Sequence, residues 1–319
     1  MTKFQYDLHT HTTTSDGSLH WRELLSLAKE VGLRGLAITD HNTLGPIREI
    51  SEEARKLGLS CIPAAEIKVT CKNQIEQYRN QTGSDDNLLP TQELIVYGID
   101  PTNEEFLHLS NEHLKGKAKY IVELCRLLKE HSASEIPHVR LDSPISIDAH
   151  SIIEKAGKYV GATHVIERII EQYAQYTSSR ILTRADVKKL VVDVQAQALN
   201  SMQDDPFYGL DIVEGLNKAR EWGKVVVLAH PFTESRKEMG NFYESFLVPL
   251  LAKNGLHGLE QSYPEHNEAQ MRSLGAMASR FDLLLTGGSD FHRKEDDLYR
   301  LGCCGVDRDA FLELKRRVI

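Results

Sequence analysis

The sequence lacks several features that would assign it to a specialised class of protein. No apolar run approaches the roughly 18 residues that a membrane-spanning helix needs, and the N-terminus has no signal-peptide pattern. The five cysteines are scattered, without the paired spacing of a zinc ribbon. Repeats of fixed period and low-complexity tracts are also absent. Together these absences predict a cytoplasmic protein with reduced thiols and no membrane segment.

Positive charge is also in short supply. The chain has 38 Lys and Arg residues against 46 Asp and Glu residues, a net charge of −8. Non-specific nucleic-acid binding needs a surplus of Lys and Arg along the phosphates, so that class is disfavoured. A small phosphorylated substrate stays compatible, because bound metal ions can supply local positive charge. The length of 319 residues and the 41% hydrophobic content are typical of a globular domain that could carry a substantial insertion.

The most informative stretch is D-L-H-T-H-T-T-T-S-D-G, residues 7–17. In an extended chain, alternate side chains share a face, so His9 and His11 are expected to point the same way. Asp16 follows on a Ser-Asp-Gly turn, where it can fold back toward them. Two imidazoles on one face suit a divalent metal better than a hydrophobic core, so this stretch predicts part of a metal site.

Short apolar runs alternate with amphipathic segments before residue 105 and again after residue 209, which predicts an α/β domain with parallel strands and crossover helices. Between these blocks, helical periodicity replaces the strand-like runs. We therefore predict a discontinuous α/β domain of residues 1–105 and 209–319, with a helical insertion of residues 106–208. The polar stretch of residues 70–90 is interpreted as a long loop or irregular hairpin.

Imidazoles and carboxylates recur at the ends of the strand-like runs. They are His9 and His11, His41, Glu66, His230, and Asp290 with His292. The carboxyl ends of parallel barrel strands share one rim, so residues distant in sequence can meet there. Each could be structural by itself, but their common position favours a shared site. Nitrogen and oxygen ligands without thiolate suit two or three divalent ions of Mn, Fe or Zn in a hydrolytic cluster.

Five ordered motifs give the chain a family resemblance. They are D-L-H-T-H-T-T-T-S-D-G, A-I-T-D-H-N-T, I-P-A-A-E-I, V-L-A-H-P and T-G-G-S-D-F-H. With them the sequence resembles the PHP superfamily (polymerase and histidinol phosphatase), and specifically its TrpH-like metal-dependent phosphoesterases. The resemblance implies a distorted seven-stranded α/β barrel, a (β/α)7 barrel of the PHP type, with a helical insertion domain.

The resemblance also implies three metal sites. The first would hold His9, His11, Glu66 and Asp290, the third would use Asp16, His41 and His292, and the second would share a bridging Glu66 with His230. Relatives often have a histidine near the position where this chain has Glu93. Two alternatives follow: Glu93 is a substitute ligand, or the second site is weak or vacant.

Candidate substrate-binding residues are fewer. Relatives show a G-R-P-H-I-A-like motif in the insertion, which resembles G-A-T-H-V-I at residues 161–166. His164 matches, while Ala162 replaces an arginine that would clamp a phosphate. Arg168, one helical turn further along, could compensate. Tyr263 and His266, just beyond another strand-like run, are further candidates.

Candidate catalytic residues are Glu66, Asp40 and His164. Asp40 and Asp7 lie next to predicted ligands and are expected to orient imidazoles. The insertion is expected to roof the site, bringing His164 to the leaving group.

The predicted function is metal-dependent hydrolysis of a phosphomonoester, with a metal-activated hydroxide attacking phosphorus. The resemblance implies a nucleotide substrate, a nucleoside monophosphate or 3′,5′-bisphosphate, and a short oligonucleotide is a further candidate partner. Three alternatives remain: a catalytically weak regulatory module that binds metal or nucleotide, a histidinol-phosphate phosphatase, and an amidohydrolase. The long insertion argues against the second, and the lack of an obvious carboxylated lysine against the third. Oligomeric state is left open.

Overall fold

The computed structural model describes residues 4–86, 88–130, 146–156, 159–173, 184–202 and 204–318. The chain divides into two compact units. The first comprises Met1–His108 and Gly209–Ile319, and the second comprises Leu109–Tyr208. We call them the barrel unit and the helical unit.

Seven strands and twelve α-helices form the described regular structure. The strands are β1 (Tyr6–Asp7), β2 (Gly35–Ile38), β3 (Ser60–Thr70), β4 (Thr91–Tyr97), β5 (Val225–Leu228), β6 (Gly258–Ser262) and β7 (Leu284–Gly287). The helices are α1 (Trp21–Glu30), α2 (Ile47–Lys56), α3 (Lys72–Thr82), α4 (Glu104–Glu130), α5 (Ala149–Ala156), α6 (Ala162–Tyr173), α7 (Arg184–Ala198), α8 (Ile212–Trp222), α9 (Gly240–Phe242), α10 (Val248–Lys253), α11 (Glu268–Phe281) and α12 (Arg308–Val318). A π-helical turn, Tyr243–Leu247, joins α9 to α10, and 3₁₀ turns span Leu199–Met202 and Glu234–Met239.

The seven strands of the barrel unit form one sheet in sequence order, β1 to β7. At the ends of the two edge strands, the N–H of Leu8, which follows β1, donates a hydrogen bond to the carbonyl of Gly287 in β7 at 3.1 Å. This contact brings β1 and β7 together and nearly closes the sheet. Strands β2 and β5 are buried along their whole length, as expected for strands covered on both faces. The predicted seven-stranded α/β barrel is confirmed.

Strand β4 corrects the expectation of parallel strands. It is antiparallel to both β3 and β5, and Lys68 pairs with Glu93 across the β3–β4 ladder. The reason is that β3 runs on past Glu66 to Thr70 and the chain returns from the same end through α3. The interpretation of residues 70–90 as a loop or hairpin was therefore wrong over α3. Because β4 runs backwards, Glu93 near its start lies at the rim where the parallel strands end.

The helical unit has its own hydrophobic core. Apolar side chains of α4, such as Leu124 and Leu128, pack with Ile169 of α6 and Val191 of α7. The helical periodicity predicted for this part of the chain is thus observed. None of the helices within the described residues combines the length and the hydropathy that a bilayer crossing requires.

Candidate metal centre

The loop that follows β1 is folded by a buried carboxylate from the next strand end. Asp40 accepts hydrogen bonds from the Thr12 N–H and the Thr12 hydroxyl, both at 2.8 Å, and from the Ser15 hydroxyl at 2.6 Å. A Cβ added at Gly17 would lie 2.5 Å from the carbonyl oxygen of His11, so only glycine fits this return of the chain. The loop thereby turns Asp16 back toward His11.

Asp7 performs the same task for the loop after β7. It accepts hydrogen bonds from the Ser289 N–H at 2.9 Å, the Ser289 hydroxyl at 2.6 Å and the Gly302 N–H at 2.8 Å. Burial raises the pKa of Asp7 and of Asp40 to about 6, although their hydrogen bonds oppose this rise. Both carboxylates hold loop backbones in place, whereas the sequence analysis expected them to orient imidazoles. A catalytic role for Asp40 stays a prediction.

The structure brings all nine predicted metal ligands into one cluster of the barrel unit. In the first group, the Nε2 atom of His11 lies 3.1 Å from Asp290 Oδ1 and 3.4 Å from Glu66 Oε2. The Nε2 atom of His9 lies 3.4 Å from Glu66 Oε1 and also 3.4 Å from Asp290 Oδ1. Five ligand atoms of four residues, from three separate stretches of chain, therefore lie close together.

A second set of contacts surrounds Asp16. Its Oδ1 atom lies 3.1 Å from His292 Nε2 and 3.6 Å from His41 Nε2. The other ring nitrogen of His41 lies 3.0 Å from Glu66 Oε2, so this group contacts the first through the carboxylate of Glu66. These side chains are about one quarter exposed, unlike His9 and His11, which are fully buried. The third predicted site is thus at the open side of the cluster.

The residues of the second predicted site meet at the other oxygen of Glu66. Oε1 of Glu66 lies 2.9 Å from His230 Nε2, which is 3.6 Å from Glu93 Oε2. A cation that the sequence analysis did not predict also lies here. Arg236, in the 3₁₀ turn after β5, places Nη2 3.2 Å from Glu93 Oε2 and Nη1 3.1 Å from His230 Nδ1.

A left-handed backbone conformation and two hydrogen bonds orient Asp290 toward the cluster. Asp290 has φ of 53°, a left-handed conformation that costs a non-glycine residue about 1–3 kcal/mol. Its N–H donates to the His9 carbonyl at 2.8 Å, and the Tyr263 hydroxyl donates to its Oδ2 at 3.0 Å. These bonds hold the strained residue with Oδ1 facing His9 and His11.

The cluster fits divalent metal ions. Among the described residues, four of its buried polar atoms have no partner in hydrogen-bond geometry: His9 Nε2, His11 Nε2, Asp16 Oδ1 and Glu66 Oε2. Buried polar atoms without partners are costly, and here all four point into the two groups described first. Imidazole nitrogens and carboxylate oxygens are the ligands of Zn, Mn and Fe in hydrolytic sites.

The close packing of ionisable side chains shifts the pKa values of histidines within the cluster. Burial, with the neighbouring rings of His292 and His41, lowers the pKa of His11 to about 4. Burial also opposes the protonation of His41, but the carboxylates of Asp16 and Glu66 outweigh it and raise its pKa to about 9. The carboxylates thus attract positive charge strongly, and a bound metal ion would supply that charge.

Glu260 is a residue of the site that the sequence analysis did not assign. It is fully buried, and its carboxylate oxygens lie 3.1 Å and 3.2 Å from His9 Nδ1. It also accepts a hydrogen bond from the His230 N–H at 2.9 Å. A carboxylate behind the far ring nitrogen of a histidine is a common outer partner of a metal ligand. Glu260 lies near the end of β6, as the predicted ligands lie near the ends of other strands, and this position was the signal by which the sequence could have identified it.

The predicted substrate-binding residues lie in different surroundings. His266 is buried, and both of its ring nitrogens contact backbone groups, Nδ1 the Gln261 carbonyl at 2.9 Å and Nε2 the Phe232 N–H at 3.2 Å. This arrangement favours a structural role. Tyr263 borders a cavity of about 500 Å³ at the rim of the cluster, which is also lined by Glu93, His230 and Arg236.

His164 and Arg168 belong to the helical unit. The Nδ1 atom of His164 accepts a hydrogen bond from the Gly161 N–H at 3.1 Å, at the start of α6. Arg168 is exposed and lies 3.4 Å from the carboxylate of Glu171. Their roles toward a substrate stay predictions.

Comparisons with known proteins agree with this geometry. The chain is 24% identical to a phosphoribosyl 1,2-cyclic phosphate 1,2-diphosphodiesterase of Eggerthella lenta, over 90% of this chain and 94% of that protein. It is 26% identical to a 5′–3′ exoribonuclease of Escherichia coli, over 90% and 85%. It is 24% identical to a 3′,5′-nucleoside bisphosphate phosphatase of Chromobacterium violaceum, over 90% and 86%. All three relatives act on phosphoester bonds.

The fold matches that of a candidate metal-dependent phosphoesterase from Bifidobacterium adolescentis. The TM-score is 0.70 at 22% identity, and the match covers 99% of this chain and 97% of that chain. The PHP domain family matches residues 7–180, more than half of the chain. The chain therefore belongs to the PHP domain family and is a metal-dependent hydrolase of phosphoester bonds.

Proposed function

We propose that this hydrolase removes phosphate from a phosphomonoester of a nucleotide, a nucleoside monophosphate or 3′,5′-bisphosphate. The single observation that carries the proposal is the cluster of His9, His11, Asp16, Glu66 and Asp290 side chains, with buried polar atoms aimed at common points. The three relatives named above each act on a ribose phosphate or on RNA, which supports a nucleotide as the substrate class.

We assign the metal ligands as the sequence analysis predicted for the first and third sites. His9, His11, Glu66 and Asp290 would hold one ion, and Asp16, His41 and His292 would hold another. When bound, the ions supply positive charge that binds phosphoryl oxygens and acidifies a water molecule. The identity of the metal stays a prediction among Mn, Fe and Zn.

The chain's own residues contribute position and charge. Glu260 fixes the ring of His9, and Tyr263 fixes the carboxylate of Asp290 through its hydroxyl. Next to them, the cavity of about 500 Å³ is within the usual size of small-ligand sites. Arg236 borders this cavity and offers a permanent cation to an anionic phosphate.

The test is a phosphatase assay on protein reconstituted with Mn or Zn, comparing Asp290→Asn with Asp282→Asn. Both aspartates have left-handed backbones, with φ of 53° and 54°, and asparagine tolerates that conformation. Asp282 is the C-cap of α11, which precedes β7 and so lies at the opposite end of that strand from the cluster. We expect the first variant to lose at least about 100-fold in kcat/KM, in line with the loss of a group that stabilises a transition state. The second should keep wild-type activity.

The substrate panel should contain adenosine 5′-monophosphate, adenosine 3′,5′-bisphosphate, a phosphoribosyl cyclic phosphate, histidinol phosphate and a short RNA. Preferred turnover of a mononucleotide supports the proposal. Preference for the RNA or for histidinol phosphate would overturn the proposed substrate class, although the protein would still be a phosphoester hydrolase. Bound metal with no turnover across the panel would favour the regulatory module instead.

A further inference from the structure

We infer that the guanidinium of Arg236 takes the place of a metal ion at the second predicted site, so that the chain holds two metal ions. The inference rests on the metal centre of the proposed function and does not depend on the choice of nucleotide. It resolves the alternatives that the sequence left open for Glu93. That carboxylate is the partner of an arginine in this chain.

The first argument is the hydrogen-bond role of His230. An arginine has only N–H donors, so at 3.1 Å from Arg236 Nη1 the Nδ1 atom of His230 must be the acceptor. A neutral imidazole with a bare Nδ1 carries its hydrogen on Nε2. That N–H faces Glu66 Oε1 at 2.9 Å and donates to it. The nitrogen that would bind a metal is therefore the nitrogen that holds the proton.

His9 shows the opposite arrangement. Its Nδ1 atom faces the carboxylate of Glu260 at 3.1 Å and must donate, which leaves Nε2 with a free lone pair. That Nε2 atom has no hydrogen-bond partner among the described residues. His292 follows the same pattern, because its Nδ1 atom lies 2.8 Å from the Asp290 carbonyl and its Nε2 atom faces Asp16. His9 and His292 therefore present an Nε2 lone pair to a metal ion, whereas His230 presents an Nε2–H group.

The second argument is charge. Arg236 is 7% exposed and its guanidinium lies 3.2 Å from Glu93 Oε2. A buried guanidinium stays protonated at any physiological pH and neutralises this carboxylate. A divalent ion bound to the same oxygen would lie next to that fixed charge, and their repulsion would be strong in a buried site. Glu93 and Arg236 together carry no net charge, so Glu93 adds little to the attraction of a third ion.

The position of Arg236 is itself built into the fold. Its N–H donates to the Thr233 carbonyl at 2.8 Å, which holds it in the 3₁₀ turn Glu234–Met239. The side chain then borders the cavity together with His230 and Tyr263. A substrate phosphate there would meet the guanidinium as a hydrogen-bond donor. The guanidinium supplies fixed positive charge where a third metal ion would otherwise provide it.

The test counts metal ions in the full-length chain. Wild-type protein is stripped with a chelator, dialysed against excess Mn²⁺ and then against buffer, and analysed by elemental mass spectrometry. We expect two ions per chain in the wild type, in Arg236→Lys, which keeps the charge, and in Arg272→Ala, an exposed arginine of α11 used as the control. We expect three ions in Arg236→Ala, because Glu93 and His230 Nδ1 are then released.

A second variant keeps the test decisive if Arg236→Ala does not fold. His230→Ala should still hold two ions, since His230 is not a ligand; a drop to one ion would overturn the inference. Three ions in the wild type, or only two in a folded Arg236→Ala, would also overturn it. No bound metal in the wild type would overturn the metal centre itself, and so the proposed function. Circular dichroism establishes that each variant is folded.

Discussion

At the scale of single residues, the role of an imidazole in the site depends on the group that its Nδ1 atom contacts. His9 has a carboxylate behind Nδ1 and His230 has a guanidinium there. The two rings face the same carboxylate, Glu66, at 3.4 Å and 2.9 Å. Because one partner accepts and the other donates, chemically identical side chains are given opposite roles. No spacing rule in the sequence distinguishes them.

Glu260→Gln should weaken metal binding while leaving the fold intact. The amide keeps one acceptor oxygen, and its NH₂ group conflicts with His9 Nδ1–H or with the His230 N–H, which donates to the carboxylate at 2.9 Å. Loss of such an outer partner typically costs about 10–100-fold in metal affinity. Competition calorimetry with Zn²⁺ measures the change. Glu268→Gln, at an exposed position of α11, is the control, and equal affinities of the two variants would refute the role of Glu260.

At the scale of elements, the ligands are positioned by close backbone approaches at the strand ends. A Cβ added at Gly288 would lie 2.3 Å from both the nitrogen and the Cβ of His9. The T-G-G-S-D-F-H motif therefore carries glycine for contact with the first motif, in addition to its two predicted ligands. Asp290 and His292 can face His9 and His11 only because Gly288 lets the two loops touch.

Gly288→Ala should destabilise the protein and disturb metal binding together. A methyl group at this distance from backbone must push the loop after β7 away from His9, and overpacking of this kind costs about 1–3 kcal/mol or more. We expect a lower midpoint in thermal unfolding and reduced affinity for Mn²⁺. Gly240→Ala is the matched control, because its added Cβ would lie 3.9 Å from Phe232, an ordinary contact. A variant at Gly288 with wild-type metal affinity would contradict this account.

Strand β4 shows what sequence patterns at this scale do not reveal. The apolar run of residues 94–97 predicts a strand correctly, but a strand of either direction has the same pattern. Its direction depends on where β3 ends, and β3 continues through Glu66 to Thr70. Helices are more predictable, because their pattern is local: Ile212, Leu216 and Ala219 of α8 recur at helical spacing and are all buried.

At the scale of the whole molecule, each unit has its own core. The apolar cluster of α4, α6 and α7 is composed of residues from 120 to 202, and the clusters of the barrel are composed of residues outside that range. All nine predicted metal ligands belong to the barrel unit, while His164 and Arg168 belong to the helical unit. The predicted metal ligands thus lie in one unit, while two of the four predicted substrate-binding residues lie in the other.

Removal of the helical unit tests that division. A chain in which a short Gly/Ser linker joins His108 to Gly209 should fold and bind the same number of metal ions as the wild type, because the barrel core and the ligands are kept. We expect nucleotide turnover to fall, since two of the predicted substrate-binding residues, His164 and Arg168, are lost. Circular dichroism, metal analysis and the phosphatase assay measure the three properties. The full-length double variant His164→Ala, Arg168→Ala separates loss of those side chains from loss of the unit.

The sequence by itself indicated the candidate ligand residues and determined the α/β alternation and the helical character of residues 106–208, because these follow from local patterns and short motifs. The tertiary structure decided the direction of β4, the contacts of Glu260 and Arg236, and the difference in surroundings between His9 and His230. These depend on contacts such as that of His9 with Glu260, 251 residues apart in the chain. Only the closed sheet brings such partners to hydrogen-bond distance, so local sequence patterns carry no record of them.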